Sequence, residues 1–141
     1  RIYGRRGVIQ YQALFPRETS RRALKELMNK IATSRLPSFL AVLKSSGSAG
    51  QGILSYMYPG HTLALDFPVT AGLRPFLKEL DELLLQHGGR LYLAKDATMS
   101  AETFAAMYPR LNEFKQIKSR IDPENRFVSS QARRLGIVES S

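Results

Sequence analysis

The chain has 141 residues, with 21 Lys and Arg against 12 Asp and Glu, a formal net charge of +9, and neither Cys nor Trp. That length predicts one compact domain, and 43% hydrophobic residues suffice for a core, which excludes wholesale disorder. The lack of Cys excludes disulfides, thiolate nucleophiles and Cys-ligated metals, and no apolar run approaches the ~20 residues of a membrane span.

Val8 to Phe15 is β-rich and imperfectly alternating, and Pro16 stops it. From Thr19, a candidate N-cap, the period becomes helical: Ala23, Leu24, Leu27, Met28 and Ile31 form one apolar stripe. Phe39 to Lys44 predicts a second strand, and the Ser/Gly-rich stretch Ser45 to Gly52 a mobile loop. Ile53 to Met57 predicts a third strand, and Thr62 to Phe67 a fourth. Leu73, Phe76, Leu77, Leu80, Leu83 and Leu84 mark an amphipathic helix that Gly88-Gly89 ends. Arg90 to Leu93 is a short last strand. A helix opened by Ser100 is interrupted at Pro109 and continues to about Arg120, and the tail from Phe127 has no clear period. The expected class is α+β. Its antiparallel sheet has four to five strands in a β-α-β-β-α-β split, ferredoxin-like core, with helices on one face and further helices at the C-terminus.

Catalytic motifs are scarce. His61 and His87 are the only histidines, and no metal site is expected from them. There is no Gly-x-Ser-x-Gly elbow and no phosphate-binding Gly-x-x-x-x-Gly-Lys loop. Gly47, Gly50 and Gly52 lie between strands, without the following helix that a dinucleotide fingerprint needs. The aromatic motif of an RNA-recognition sheet is absent, so no nucleic-acid partner is expected. Polar residues inside strands remain. Gln10 and Gln12, two apart, share one face; Lys44 ends the second strand, Asp66 lies in the fourth and Lys95 follows the last. Such a face is either a polar site closed by another element or simply a solvated surface, and the residues alone leave both readings open.

Five blocks in order carry a resemblance. They are Gly4-Arg5-Arg6-Gly7-Val8-Ile9-Gln10-Tyr11-Gln12, Leu91-Tyr92-Leu93-Ala94-Lys95-Asp96, Ala105-Ala106-Met107-Tyr108-Pro109-Arg110, Ile121-Asp122-Pro123, and Phe127-Val128-Ser129-Ser130 with Ala132-Arg133-Arg134-Leu135-Gly136. Together they resemble the C-terminal substrate (cap) domain of FAD-linked oxidases of the vanillyl-alcohol-oxidase type. The nearest likeness is to the decaprenylphosphoryl-ribose oxidase branch and to sugar-lactone and alditol oxidases. The resemblance implies a fragment, beginning at Arg1 and lacking an N-terminal FAD-binding domain. Residues 1–97 would form the substrate-domain core, and residues 98–141 the C-terminal helices and tail that pack toward the absent domain.

The resemblance further implies oxidation of a sugar, sugar-lactone or polyol hydroxyl, with hydride passing to FAD. The fragment would be inactive alone and hold no FAD of its own. By position, Lys95 matches an active-site lysine beside the flavin, and Tyr92 a tyrosine that contacts FAD. Gln10, Gln12 and Lys44 match pocket residues. Thr62 and Ala64 stand where the decaprenylphosphoryl-ribose branch has Asn and Cys, which separates the oxidase class from that branch's lipid-linked ribose. The implied partners are the FAD-binding domain of the same polypeptide and the substrate. The implied location is cytoplasmic, with membrane association left open. The alternative is a basic ligand- or nucleic-acid-binding module without redox activity.

The charge is uneven. Residues 1–35 hold nine basic against two acidic residues, residues 36–109 five against six, and residues 110–141 seven against four. In the layout that the resemblance implies, both basic ends run beside the FAD domain and the flavin.

Overall fold

β1 (Val8–Pro16) runs directly into helix α1 (Arg17–Thr33), and this junction sets the geometry of everything that follows. The computed structural model describes residues 6–138; Arg1, Gly4, Arg5 and Glu139, which entered the charge count or the first sequence block, lie outside them. After α1 come β2 (Leu40–Ser46), β3 (Gly60–Pro68), α2 (Leu73–Gln86) and β4 (Arg90–Leu91). The sheet order is β2-β3-β1-β4, and every neighbouring pair is antiparallel. The expected α+β class and β-α-β-β-α-β order are therefore realised with four strands.

Alternation decides the two faces. Tyr11, Ala13 and Phe15 of β1 and Leu63, Leu65 and Phe67 of β3 are buried and share one core with Ala23 and Leu27 of α1 and Leu77, Leu80 and Leu84 of α2. Both helices thus cover one face, as amphipathic elements must to remove their stripes from water. Beyond β4 a single 3₁₀ turn (Leu93–Lys95) leads to α3 (Ala101–Met107), α4 (Leu111–Ile121) and α5 (Ser130–Arg134). Phe104, Met107, Tyr108, Leu111 and Leu135 extend the core beneath α2.

Several expectations are corrected. Ile53 to Met57 forms no strand. Both edges of β3 are already occupied, by β2 and β1, so the segment closes instead into turns, with Ser55 N–H donating to Gly52 O (2.9 Å) and Gly50 N–H to Met57 O (3.2 Å). The last strand is two residues rather than four, because the chain turns at Leu93 once Tyr92 N–H has reached Gln12 O (2.9 Å). Thr19 is not the N-cap: α1 begins at Arg17, and the Thr19 hydroxyl donates to His87 O (2.8 Å) across to the end of α2. The tail that showed no period contains α5, which is too short to display one.

Two glycines are required where they stand. Gly60 faces Pro16 at the strand-to-helix junction, where a Cβ would lie 2.0 Å from Phe15 O. Gly88 takes φ +69 after α2, a conformation that a side chain would strain.

Candidate functional site

The face opposite the helices collects the polar strand residues. Because side chains alternate, Gln10 and Gln12 of β1, Thr62, Ala64 and Asp66 of β3, and Leu40, Val42 and Lys44 of β2 all point to it. The register sets them in rows: Lys44 stands opposite Thr62, Val42 opposite Ala64 opposite Gln12, and Leu40 opposite Asp66 opposite Gln10. All five residues expected from sequence to line a pocket therefore share one surface.

Hydrogen bonds orient this surface. Gln10 Nε2 donates to Asp66 Oδ1 (3.0 Å) and Gln12 Nε2 to Thr62 Oγ1 (3.2 Å). Each glutamine uses its amide nitrogen within the sheet and keeps a carbonyl oxygen that can accept a hydrogen bond. Thr62 is buried, and its hydroxyl also meets Tyr56 Oη at 2.6 Å.

Tyr92 and Lys95 arrive from a different part of the chain. The pairing of Leu91 with Ala13 directs Leu91 to the core, so Tyr92 turns to the open face. Lys95 N–H donates to Tyr92 O (2.9 Å), which closes the 3₁₀ turn and leaves the Lys95 side chain half-buried. Gln10, Gln12, Tyr92, Lys95 and Asp96 line one crevice of about 10 Å³, the space of about one water. Lys44, Thr62 and Ala64 lie on the same face nearer the β2 edge and do not line that crevice. Among the described residues, neither Lys44 nor Lys95 forms an ion pair.

Sequence reasoning found Tyr92 but missed the aromatic residues around it. The Tyr56 ring lies 4.8 Å from that of Tyr92 at 38°. The Arg90 guanidinium sits over Tyr58 (4.6 Å) and Tyr108 (5.2 Å), and its Nη1 donates to Ser55 O (2.9 Å), tying the β2–β3 loop to β4. Arg90 Nε is buried without a hydrogen-bond partner, and attraction to the two rings offsets that loss. Burial raises the Tyr56 and Tyr108 hydroxyls well above the usual tyrosine range, and burial pushes Tyr58 up to about 12. All three stay protonated as donors near neutral pH. No periodicity marks Tyr56, because it sits in a loop.

The two histidines take separate partners: His61 Nδ1 meets Ser20 Oγ (2.9 Å), and His87 Nε2 meets Glu26 Oε2 (2.7 Å). Among the described residues no group of three or more His, Asp or Glu is arranged to hold a metal ion. No helix among them is long and apolar enough to cross a membrane. The cations of α1 do not face the site: Arg17, Arg21, Arg22 and Lys25 are exposed on a helix that covers the opposite side of the sheet. Of the basic N-terminal segment, these four thus turn away from the open face of the sheet.

The fold is thus an antiparallel sheet with helices on one side and ordered amides, a lysine and tyrosine rings on the other. The family model of D-arabinono-1,4-lactone oxidase matches residues 13–135, and the chain belongs to that family. It is 44% identical over 138 residues to decaprenylphosphoryl-beta-D-ribose oxidase of Mycolicibacterium smegmatis, covering 98% of this chain and 30% of that protein. It is 24% identical over 122 residues to L-gulono-1,4-lactone dehydrogenase of Mycobacterium tuberculosis, covering 85% of this chain and 28% of that one. The chain thus spans less than a third of the length of either relative.

Proposed function

We propose that this chain is the substrate-domain wall of an FAD-dependent oxidoreductase that oxidises a hydroxyl of a sugar, sugar lactone or polyol. On this reading a further domain of the same polypeptide holds most of the FAD, and the chain is inactive alone. Residues 1–97 supply the wall, and residues 98–141 pack toward that domain. The observation that carries the reading is the convergence of Gln10, Gln12, Tyr92 and Lys95 on one crevice. The family, and two relatives named as an oxidase and a dehydrogenase of sugar-like compounds, support the reaction class.

The residues fit a flavin as one wall only. A crevice of about 10 Å³ cannot enclose the ring system, whereas a half-exposed tyrosine and lysine at its mouth can lie against one. When bound, FAD would supply the acceptor for a hydride from the carbon that bears the hydroxyl, whose proton is released to solvent as the carbonyl forms. The chain's own part is electrostatic and positional. The Lys95 ammonium offers three donors and a positive charge where negative charge develops, and it is worth most in a site from which water has been excluded. The side-chain carbonyls of Gln10 and Gln12 accept from substrate hydroxyls, and the bonds to Asp66 and Thr62 hold the two amides in place. Lys44, on the exposed edge, contributes a second cation, and Thr62 and Ala64 form the floor between.

The test is anaerobic mixing of the full-length flavoprotein with D-arabinono-1,4-lactone, L-gulono-1,4-lactone and decaprenylphosphoryl-β-D-ribose. At least one should bleach the flavin, and Lys95→Ala should slow that step by more than ~10-fold, the scale of a lost charge-stabilising group. Unchanged kinetics in Lys95→Ala would refute the role given to Lys95.

A further inference from the structure

The turn that carries Lys95 is held from outside itself. A single 3₁₀ turn is a marginal structure, with poor hydrogen-bond geometry and few bonds of its own. Here the internal bonds are Lys95 N–H to Tyr92 O and Asp96 N–H to Leu93 O (3.3 Å). Four contacts from α5, more than thirty residues further along the chain, fall on the same short segment. Gln131 Nε2 donates to Leu93 O (2.7 Å) and lies 3.5 Å from Asp96 Oδ2; Arg134 Nη2 donates to Asp96 Oδ2 (2.8 Å), and Arg134 Nη1 to Met99 O.

Asp96 is the knot of this arrangement. Its side chain is only 1% exposed, although it neighbours a residue at the mouth of the site. Its Oδ1 accepts from Thr98 N–H (3.0 Å) and Met99 N–H (2.9 Å), and its Oδ2 faces Arg134. A buried carboxylate needs compensation of this kind, and the planar guanidinium of Arg134 bridges Asp96 and the Met99 carbonyl in a fixed fork geometry. The five-residue α5 would not hold its place by helix propensity. Leu135, at 1% exposure, seats it in the core, and the Ser129 hydroxyl accepts from Ala132 N–H (3.1 Å) at its start.

We propose that α5 is a clamp: Arg134 and Gln131, acting through Asp96 and the Leu93 and Met99 carbonyls, are positioning residues that fix the Leu93–Met99 turn and thereby aim Lys95. This inference rests on the role given to Lys95 above. It adds that the lysine is aimed by the C-terminal segment as well as by the strand that precedes it.

A double-mutant cycle in the full-length flavoprotein tests it, with sulfite as the probe, since its binding is read from bleaching of the flavin absorbance and needs no knowledge of the substrate. Lys95→Ala should weaken sulfite binding at least ~10-fold by removing a preorganised charge. Arg134→Ala should weaken it by about 10-fold through misplacement of that charge. In the Lys95→Ala background, Arg134→Ala should change it by less than ~2-fold, because residues acting through one another are not additive. A sulfite affinity untouched by Arg134→Ala, with Lys95→Ala impaired, overturns the clamp and leaves the role of Lys95 standing. Equal weakening by Arg134→Ala in both backgrounds also overturns it, since the loss would then come from general damage to the fold. An unaffected Lys95→Ala removes the reading on which the clamp rests, and the clamp with it. Should Arg134→Ala fail to bind flavin, Gln131→Ala, which removes the tie to Leu93 O, takes its place in the same cycle.

Discussion

Tyr56 rests against Tyr92, with ring centroids 4.8 Å apart, while its hydroxyl lies 2.6 Å from Thr62 Oγ1. One loop side chain thus joins the β2–β3 connection, the central strand β3 and the segment after β4. It links residues that lie far apart in the chain and gives the open face a fixed shape.

Tyr56→Phe keeps the ring and loses the bond to a buried hydroxyl. It should lower stability by about 1 kcal/mol. Tyr56→Ala, which also removes the support under Tyr92, should cost about 3 kcal/mol. Urea unfolding of the two variants measures both, and equal losses would mean that the ring contributes nothing.

Gln12→Leu leaves the strand intact but removes both the bond to Thr62 and the amide acceptor. Catalytic efficiency on a polyhydroxy substrate should fall at least ~10-fold, since a site built for a hydroxyl loses its partner. The loss should appear mainly in KM, with the flavin spectrum unchanged. An unaltered KM would remove Gln12 from the substrate wall.

Asp81 of α2 is buried against the core and accepts from Tyr11 Oη (2.9 Å). Burial, outweighing the bond from Tyr11, pushes its carboxyl up to about 7. From the ordinary value of 3.8 up to about 7, the folded state holds a proton that the unfolded state has lost, so this group's contribution to stability falls as pH rises through that window and is level above it. Asp81→Asn keeps an acceptor for Tyr11 and removes the titration. Relative to the parent, it should be more stable at pH 8 than at pH 5 by about 2 kcal/mol. Denaturant midpoints at the two pH values decide, and a constant difference would place the titration elsewhere.

Gly60→Ala puts a methyl 2.0 Å from the Phe15 carbonyl oxygen, a backbone atom that cannot rotate away. The same junction carries the bond from Arg17 N–H to Pro59 O (3.2 Å). A loss of about 3 kcal/mol, the scale of overpacking in a tight site, is expected in thermal or urea unfolding. Full stability would require the β1–α1 junction to be pliable.

Much of the scaffold was legible from residue pattern alone. The stripes from Ala23 to Ile31 and from Leu73 to Leu84 announced the two covering helices, because burying an apolar stripe is the dominant local driving force. The two-residue period of a strand placed Gln10 and Gln12 on one face before any partner strand was known. The family blocks pointed to Tyr92 and Lys95 as residues that belong together. Periodicity failed where pairing partners and not local preference decide. Ile53 to Met57 has strand composition, but it finds both edges of β3 taken, and α5 is shorter than two helical turns.

Chain order and chemical type therefore settled the two covering helices, the shared face of Gln10 and Gln12, and the family. Only the tertiary structure decided that Lys44, Thr62, Ala64 and Gln12 fall in adjoining rows, since that depends on a β2–β3–β1 register spanning tens of residues. It also decided that Tyr56 covers Thr62, that the α1 cations turn away from the site, and that Arg134 reaches back to Asp96. The physical reason is the same in each case. These contacts join segments distant in sequence, so no local propensity encodes them, and they exist only once the common core has brought the segments together.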